Sequence, residues 1–318
     1  FLLMAVYTSL NISDLNIWLK NFDIEPLKDL KGISAGVTNT NYLISTKQSK
    51  YILTIFEHHT IEELPFYINL MIFLQKHSFR CPKPILSKGG ESLNLLKGKP
   101  ALIVSFLEGH EIQNKSSHEQ AYEITQIGQR LGQLHNLGMK FKESRENRRD
   151  LLWIKNKYQE LKNNVSPGNQ KLIEDEIYFL IGSHKNDLPS GIIHGDLFRD
   201  NVIYSQKDGP GFIDFYYACN EILVYDIAIA INDWCIDLDG KIDSPKLVNF
   251  MAGYEKERPL ESNEHDYLPK ALRWAALRFF ISRLEHVDSN PSAEILSIKN
   301  PDQFKNILIH RQSIEGLF

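Results

Sequence analysis

Three polar residues in the second half of the chain have the types and spacing of a catalytic site. Asp196 and Asn201 lie in residues 194–201, which read His-Gly-Asp-Leu-Phe-Arg-Asp-Asn, and Asp214 follows Asn201 by thirteen residues. Kinase catalytic loops have this form: an aspartate takes the proton of the acceptor hydroxyl, and an asparagine and a later aspartate bind the metal ion. We therefore predict Asp196 as the general base and Asn201 and Asp214 as ligands of Mg²⁺, which prefers oxygen.

Short apolar runs flank these residues and predict the elements that must position them. Residues 191–193 enter the loop, residues 202–204 leave it, residues 206–210 form a polar turn, and residues 212–213 read as a returning strand. Such a hairpin would bring the three candidate side chains to one edge. The alternative is an ordinary polar loop whose Asp and Asn side chains only cap turns.

Two further residues are predicted to support the loop. His194, directly before the loop, is expected to orient it by hydrogen-bonding the backbone rather than to perform acid–base chemistry. Asp226 lies near the start of an apolar helix, where an unpaired acid would be costly. We expect its carboxylate to hydrogen-bond the backbone of the catalytic loop.

Candidate acceptor-binding residues surround the motif in sequence. Tyr216 and Asn220 follow Asp214 closely, and Asp233 lies on the next predicted helix, where an acid would suit an ammonium group in the acceptor. Arg278 lies on a long helix predicted to start at Pro269, and its guanidinium could bind a carboxylate through two parallel hydrogen bonds or pair with a nearby acid.

Composition and charge narrow the classes of protein. The chain has 318 residues, of which 42% are hydrophobic and 24% charged, and its net charge is −4, as in globular proteins without a basic field for nucleic acid or an anionic membrane. Three widely spaced cysteines suggest neither a disulfide framework nor a metal site. No stretch approaches membrane-spanning length. We therefore predict a cytoplasmic protein.

The secondary-structure pattern changes near residue 107. Before it, strands are predicted at residues 42–46, 51–56 and 101–106, with one helix that begins at Pro65; after it, helical patterns dominate. This predicts an α+β, two-lobed fold, in which residues 1–106 form a small antiparallel-sheet, nucleotide-binding lobe. Residues 107–318 would form a larger, mostly helical lobe for catalysis and acceptor binding.

The segment at residues 32–41 is small, polar and rich in turn formers, and it precedes the first predicted hairpin. Its backbone N–H groups could face phosphate groups, although it has only two glycines and a plain strand connection would read similarly. The predicted nucleotide-binding residues of this segment are Gly36, Val37, Thr38, Asn39 and Asn41.

Together these residues resemble the aminoglycoside phosphotransferase and choline kinase group, whose fold is protein-kinase-like, and more narrowly the bacterial homoserine kinases within it. The resemblance extends from about Met4 to His310. Besides the catalytic motif, it is carried by residues 4–8, 36–42, 51–54, 81–84, 214–220, 225–228 and 276–279.

The resemblance implies transfer of the γ-phosphoryl group of ATP to the hydroxyl of L-homoserine, a step of threonine biosynthesis, with Mg²⁺ as cofactor. It implies that Ser105, Phe106 and Leu107 form the hinge beside adenine. ATP and homoserine would be the partners, without nucleic acid or membrane, and oligomeric state is not implied. Two alternatives stay open: a kinase for another amino alcohol or amino sugar, such as choline or an aminoglycoside, or a nucleotide-binding module without chemistry.

One position departs from the pattern of this fold. Many such kinases carry a Lys or Arg on the second hairpin strand to hold phosphates, paired with a helix Glu. Here the strand position corresponds to Thr54, and the helix position falls near residues 66–67, which are Phe and Tyr. Phosphate anchoring would then come from loop amides or another cation. Arg199 is one candidate, although it stands where the family more often has Pro and would otherwise face solvent.

Overall fold

The computed structural model describes residues 8–33, 39–112, 117–183, 187–289 and 299–314. The chain divides into two compact units, Phe1–Gly109 and His110–Phe318. The predicted boundary, between residues 106 and 107, lies three residues before this division. Across the described ranges, no helix combines the length and the apolar character needed to cross a membrane.

The first unit is built on a five-stranded antiparallel sheet with strand order β1-β2-β3-β5-β4. Its strands are β1 (Asp29–Ile33), β2 (Asn39–Ser45), β3 (Lys50–Phe56), β4 (Leu93–Leu96) and β5 (Lys99–Ser105), and its helices are α1 (Ile12–Leu19) and α2 (Leu64–Lys76). Pro65 lies in the first turn of α2, where its missing N–H costs nothing. The predicted strands and helix of this lobe are confirmed.

One face of this sheet packs against α1. The helix begins after Asn11, whose side chain accepts the N–H of Asp14, and it buries Leu15 and Leu19. These residues belong to one apolar core with the inward side chains of the strands, which are Tyr42, Ile44, Leu53, Ile55, Ala101 and Ile103. Because side chains alternate along a strand, the residues between these positions lie on the opposite face of the sheet.

The second unit is mostly helical, with two small antiparallel sheets of order β6-β8-β9 and β10-β7. Its strands are β6 (His110–Glu111), β7 (Ser190–Ile193), β8 (Val202–Ser205), β9 (Gly209–Phe212) and β10 (Cys219–Ile222). Its helices are α3 (Ser117–Gly138), α4 (Leu151–Leu161), α5 (Pro167–Ile181), α6 (Leu223–Trp234), α7 (Ser244–Glu257), α8 (Ser262–Ser289) and α9 (Pro301–Gln312). The α+β fold class and the β8–β9 hairpin are therefore confirmed.

The start of α8 differs from the prediction. Pro269 lies inside this helix, which begins at Ser262. The extra turns are held by Glu264, whose carboxylate accepts the N–H of Glu261 at 3.0 Å and pairs with the guanidinium of Arg258. Because Glu264 caps α8 at its N-terminus, the helix begins seven residues before Pro269.

Candidate catalytic site

Asp196 and Asn201 lie on the loop between β7 and β8, and a direct hydrogen bond joins them. The Nδ2 group of Asn201 donates to the backbone oxygen of Asp196 at 2.8 Å and to its Oδ2 atom at 3.1 Å. Asn201 is buried, whereas Asp196 is partly exposed. Because the amide nitrogen of Asn201 faces Asp196, its Oδ1 atom is the oxygen left to bind a cation.

Asp214 comes next to Asn201 through the β8–β9 hairpin. The N–H of Ile213 donates to the backbone oxygen of Asn201 at 3.0 Å, directly beyond the last paired residues of the two strands. Asp214 itself has φ 61° and ψ 61°, the left-handed conformation that non-glycine residues seldom adopt. Such strain concentrates at functional sites, and here it turns the chain away from the strand immediately after the hairpin.

The two aspartates have raised pKa values. Desolvation by the surrounding protein is the main cause for Asp196, whose pKa rises to about 7; Arg278 opposes the rise and Asp214 adds to it. Although the side chain of Asp214 reaches solvent, desolvation also raises its pKa to about 6, against a hydrogen bond from the N–H of Tyr216. Two carboxyl groups whose ionisation is disfavoured mainly by desolvation would be stabilised as anions by a bound cation.

The available oxygen atoms fit a divalent metal that is only partly enclosed by protein. Asn201 contributes an amide oxygen and Asp214 an exposed carboxylate, while no group of three His, Cys, Asp or Glu residues that could hold a metal occurs in the described ranges. Mg²⁺ is commonly held by one or two protein oxygens together with phosphates and water. The donor set therefore suits a metal that arrives with a nucleotide.

Asp226 holds the catalytic loop from α6. Its carboxylate accepts the N–H groups of His194 at 2.7 Å and Gly195 at 2.9 Å, which is the contact that the sequence predicts. The Nε2 atom of His135, on α3, lies 3.1 Å from the same carboxylate. Burial alone would raise the pKa of Asp226, but the hydrogen bond from His135, nearby His charges and the Gly195 amide hold it below its usual range.

A chain of buried polar groups continues behind His135. Its Nδ1 atom lies 2.7 Å from the hydroxyl of Tyr254, which accepts from Arg258 at 3.1 Å, and Arg258 donates to both carboxylate oxygens of Glu264. The Tyr254 hydroxyl thus accepts from Arg258 and also bonds the Nδ1 atom of His135, so a continuous chain of hydrogen bonds leads from Glu264 to Asp226. Sequence reasoning missed this chain, whose only signal was polar residues within apolar helix faces.

His194 ties the loop to the end of β9. Its Nε2 atom lies 2.9 Å from the backbone oxygen of Ile213, and its Nδ1 atom accepts the N–H of Asp196 at 3.3 Å. The ring packs beside Phe212 and Phe215, and burial lowers its pKa. A neutral imidazole in this setting positions the backbone, since both of its ring nitrogens bond backbone groups.

Gly195 and Arg278 show how tightly the loop is packed. Gly195 has φ 76°, and a Cβ atom at this position would lie 2.6 Å from the backbone oxygen of Tyr217. Only glycine fits such a conformation and approach. Arg278 is 3% exposed and donates to the backbone oxygen of Gly195 at 2.6 Å. This contact gives Arg278 a role in supporting the loop beside Asp196, and its predicted contact with an acceptor stays a prediction.

The other predicted acceptor residues are partly engaged. The Oδ1 atom of Asn220 accepts the N–H of Arg145 at 2.8 Å, and Asp233 accepts the N–H of Arg199 at 2.8 Å, so both hold backbone segments. Tyr216 is half-buried beside Asp214, whose carboxylate its N–H contacts. The structure therefore brings Tyr216 to the candidate base and metal ligands, and gives Asn220 and Asp233 positioning contacts.

Arg199 is partly exposed, and its side chain contacts the end of α6. Its Nε and one terminal nitrogen donate to the backbone oxygen of Asp233 at 3.3 and 3.2 Å, and the same terminal nitrogen donates to that of Trp234 at 3.3 Å. These oxygens belong to the last turn of α6, where a positive charge is favourable. The side chain of Arg199 therefore caps this helix, an arrangement that the sequence did not predict.

The nucleotide-binding predictions fall on the first unit. Gly36, Val37 and Thr38 lie outside the described residues. Asn39 and Asn41 lie on β2, with Asn39 buried and Asn41 half-buried.

In the predicted hinge, Ser105 and Phe106 donate their backbone N–H groups to the backbone oxygens of Lys83 and Lys50. Leu107 follows, and its N–H makes no backbone hydrogen bond within the part of the chain that the structure describes. The amides of Ser105 and Phe106 are therefore engaged by backbone oxygens of the first unit.

Comparison with known proteins identifies the family. The profile of the phosphotransferase enzyme family (APH) matches residues 29–260. The chain belongs to this family. Among curated relatives, it is 38% identical over 307 residues to a homoserine kinase of Methylobacillus flagellatus, and the match covers 96% of this chain and 95% of the relative.

Solved structures of other kinases share the fold of this chain at low sequence identity. The amicoumacin kinase hAmiN, in complex with AMP-PNP, Ca²⁺ and Ami, gives a TM-score of 0.73 at 16% identity, covering 94% of this chain and 91% of that one. A choline kinase of Cryptosporidium parvum gives 0.72 at 16% identity, covering 95% of this chain and 96% of that one. The two-lobed, protein-kinase-like fold is thereby confirmed.

Proposed function

We propose that this phosphotransferase transfers the γ-phosphoryl group of ATP to the side-chain hydroxyl of L-homoserine, which yields O-phospho-L-homoserine and ADP in threonine biosynthesis. The observation that carries the proposal is the near-complete alignment with a homoserine kinase. The pairing of Asp196 with Asn201 beside Asp214 supplies the chemistry that such a kinase needs.

In the proposed reaction, Asp196 orients the acceptor hydroxyl and accepts its proton. A bond forms between the hydroxyl oxygen and the γ-phosphorus while the bond from that phosphorus to the bridging oxygen breaks, and ADP leaves. Desolvation raises the pKa of Asp196 to about 7, close to the range in which a general base works at neutral pH. Most of the rate enhancement would come from position and charge, as in other phosphoryl transfers.

Asn201 and Asp214 would hold Mg²⁺ in the proposed enzyme. When bound, the metal neutralises charge on the phosphates. The exposed carboxylate of Asp214 and the Oδ1 atom of Asn201, whose Nδ2 atom is turned towards Asp196, support this assignment. A titration of the protein with Mg²⁺ and ADP should show tighter ADP binding with metal than without it, and Asp214→Asn should remove most of that difference.

The proposal is tested by steady-state phosphorylation of a panel of alcohols by the full chain. L-homoserine should be the best acceptor, ahead of L-serine, choline and an aminoglycoside, and an acceptor that lacks the carboxylate should lose most of the turnover. Preferred turnover of choline or of the aminoglycoside would overturn the choice of homoserine. ATP binding without turnover of any alcohol would leave the nucleotide-binding module as the correct description.

A cytoplasmic location is part of the proposal. It is supported by Cys81, Cys219 and Cys235, which are all buried free thiols. Such thiols are typical of reducing compartments. Fractionation of cells that express the full chain, followed by immunoblotting, should recover it with cytoplasmic marker enzymes; recovery with membranes would contradict this part.

A further inference from the structure

The face of the five-stranded sheet that turns away from α1 carries a polar pair between apolar neighbours. In the register of β2 and β3, Asn41 lies opposite Thr54, and Leu43 lies opposite Ile52. Leu43 and Ile52 are half-buried, so this part of the face is apolar and partly open, while Thr54 is 4% exposed. If the base of a nucleotide stacked on the apolar pair, the phosphates of that nucleotide would lie near the neighbouring polar positions.

The polar pair has a defined orientation. The hydroxyl of Thr54 donates to the Oδ1 atom of Asn41 at 2.8 Å. This bond occupies the acceptor end of the Asn41 amide and leaves the Nδ2 group, which carries two N–H donors, pointing away from Thr54. Asn41 is half-buried, so its donor end is not enclosed by the sheet.

A lysine at this position would lack its usual partner. The cross-strand neighbours of Thr54 are Asn41 and Leu102. The sequence of α2 contains no Asp or Glu, and the helix buries Phe66 and Tyr67 where a pairing acid is expected in kinases of this fold. A cation on this part of the face would be desolvated without a counter-charge, which is costly.

We propose that Asn41, oriented by Thr54, donates from Nδ2 to a phosphate of the bound nucleotide and serves as a neutral substitute for the phosphate-binding lysine. This inference rests on the proposed function, because it requires that the sheet bind ATP. A neutral amide donor avoids the cost of a buried unpaired charge, although its bond to phosphate is weaker than that of an ammonium group.

The test compares ligands with and without phosphates. Calorimetry should measure the affinity of wild type and Asn41→Ala for Mg-ADP and for adenosine. We expect Asn41→Ala to weaken ADP binding about tenfold, equivalent to about 1.4 kcal/mol, with adenosine affinity unchanged. Thr54→Val, which keeps the shape but removes the orienting hydroxyl, should weaken ADP binding by a smaller factor.

Two further variants make the test specific. Asn41→Asp keeps an acceptor for Thr54 but replaces the donor with negative charge, so it should weaken ADP binding more than Asn41→Ala does. Asn94→Ala, on β4 of the same sheet, is the matched control and should bind both ligands as wild type does. Thermal unfolding of each variant should verify that the first unit remains folded.

The outcomes separate the two proposals. Unchanged ADP affinity in Asn41→Ala, or an equal loss of ADP and adenosine affinity, would overturn the phosphate contact while leaving the kinase assignment intact. Wild type that binds no ADP with Mg²⁺ would overturn the proposed function itself, and the inference with it.

Discussion

The candidate catalytic loop, residues 194–201, and the face of the sheet that carries Asn41 position their polar groups by different means. The loop is held by Asp226, a fully buried carboxylate that contacts two backbone amides and a histidine. On the sheet, strand register and one neutral hydrogen bond between Thr54 and Asn41 position the amide. A loop has no ladder of hydrogen bonds, so its geometry needs dedicated partners, whereas a strand inherits its geometry from its neighbours.

This difference predicts where the protein tolerates change. Removal of one partner from the buried network leaves charged or polar groups without hydrogen bonds, which costs several times more than the loss of a net hydrogen bond. On the sheet, substitution of one side chain leaves the backbone ladder intact. Variants of the loop should therefore affect both folding and catalysis, and variants of the sheet face mainly ligand affinity.

The largest effect is expected from Asp196→Asn, which separates chemistry from positioning. The amide can still occupy the site but cannot accept a proton, so turnover with homoserine should fall by about 10²- to 10⁴-fold. Affinity for Mg-ADP, measured by calorimetry, should stay within about threefold of wild type, the margin that the loss of one distant charge allows. Turnover within tenfold of wild type would remove Asp196 as the base.

Asp226→Ala should produce the largest loss of stability. It leaves two backbone amides and His135 without their shared acceptor, and the free energy of unfolding should fall by about 3–5 kcal/mol, as for a broken buried charge network. Urea unfolding followed by circular dichroism measures this loss. Asp175→Ala, which breaks an exposed pair with Lys171 on α5, is the control and should change stability by less than about 1 kcal/mol. Equal effects of the two variants would contradict the network.

Mild acid should lower the stability of the protein, because it protonates His194 behind the loop. Burial lowers its pKa in the folded state below the usual value of about 6.5, so its contribution to stability is complete above about pH 6.5 and declines as the pH falls. Asp226, whose pKa is lowered from 3.8, loses its contribution only at more acidic pH. The raised pKa values of Asp196 and Asp214 act in the opposite direction, so the measurement must compare variants.

The comparison is between wild type and His194→Gln, which retains hydrogen-bonding capacity without titrating. Wild type should be the more stable protein at pH 7.5, and the difference in unfolding free energy should shrink between pH 7.5 and pH 5.5, since the loss begins near pH 6.5. A constant difference across this range would show that His194 does not contribute through its protonation state.

The smallest effect is expected from Arg199→Ala. The side chain donates to backbone oxygens at the end of α6, an interaction that is partly exposed to solvent, so its loss should cost about 0.5–1.5 kcal/mol of stability. Turnover should change by less than about threefold, because the backbone N–H of residue 199 can still donate to Asp233. A loss of ADP affinity tenfold or greater would instead return Arg199 to the role of phosphate anchor.

Local spacing predicted much of the catalytic half. The Asp196–Asn201 interval, the turn-rich stretch before Phe212 and the alternation of the strands are short-range features, and the structure reproduces the hairpin that they predict. The assignment of Asp226 as a support for the loop also followed from the sequence, because a lone acid in an apolar helix needs a partner. The catalytic motif carried the resemblance to the wider group, and segments in both halves of the chain carried the resemblance to the narrower family.

Other contacts were not predicted, because the partner of the residue lies far along the chain. Arg278 has its acceptor 83 residues away, at Gly195, and Arg199 finds its acceptors 34 and 35 residues away, on α6. The start of α8 is a different case, because the contacts of Glu264 that extend this helix beyond Pro269 are local, with Glu261 and Arg258. For both arginines, packing decided which backbone oxygens accept from the guanidinium.

By itself, the sequence determined the identity of the candidate base and metal ligands and the hairpin that joins them, because turn residues and alternation act over a few positions. Only the tertiary structure decided what holds them: the path from Glu264 through Arg258, Tyr254 and His135 to Asp226 joins four helices of the second unit. Hydrogen bonds need partners within about 3 Å, and the helices that bring such partners together are placed by burial of apolar surface, which leaves no local mark in the sequence.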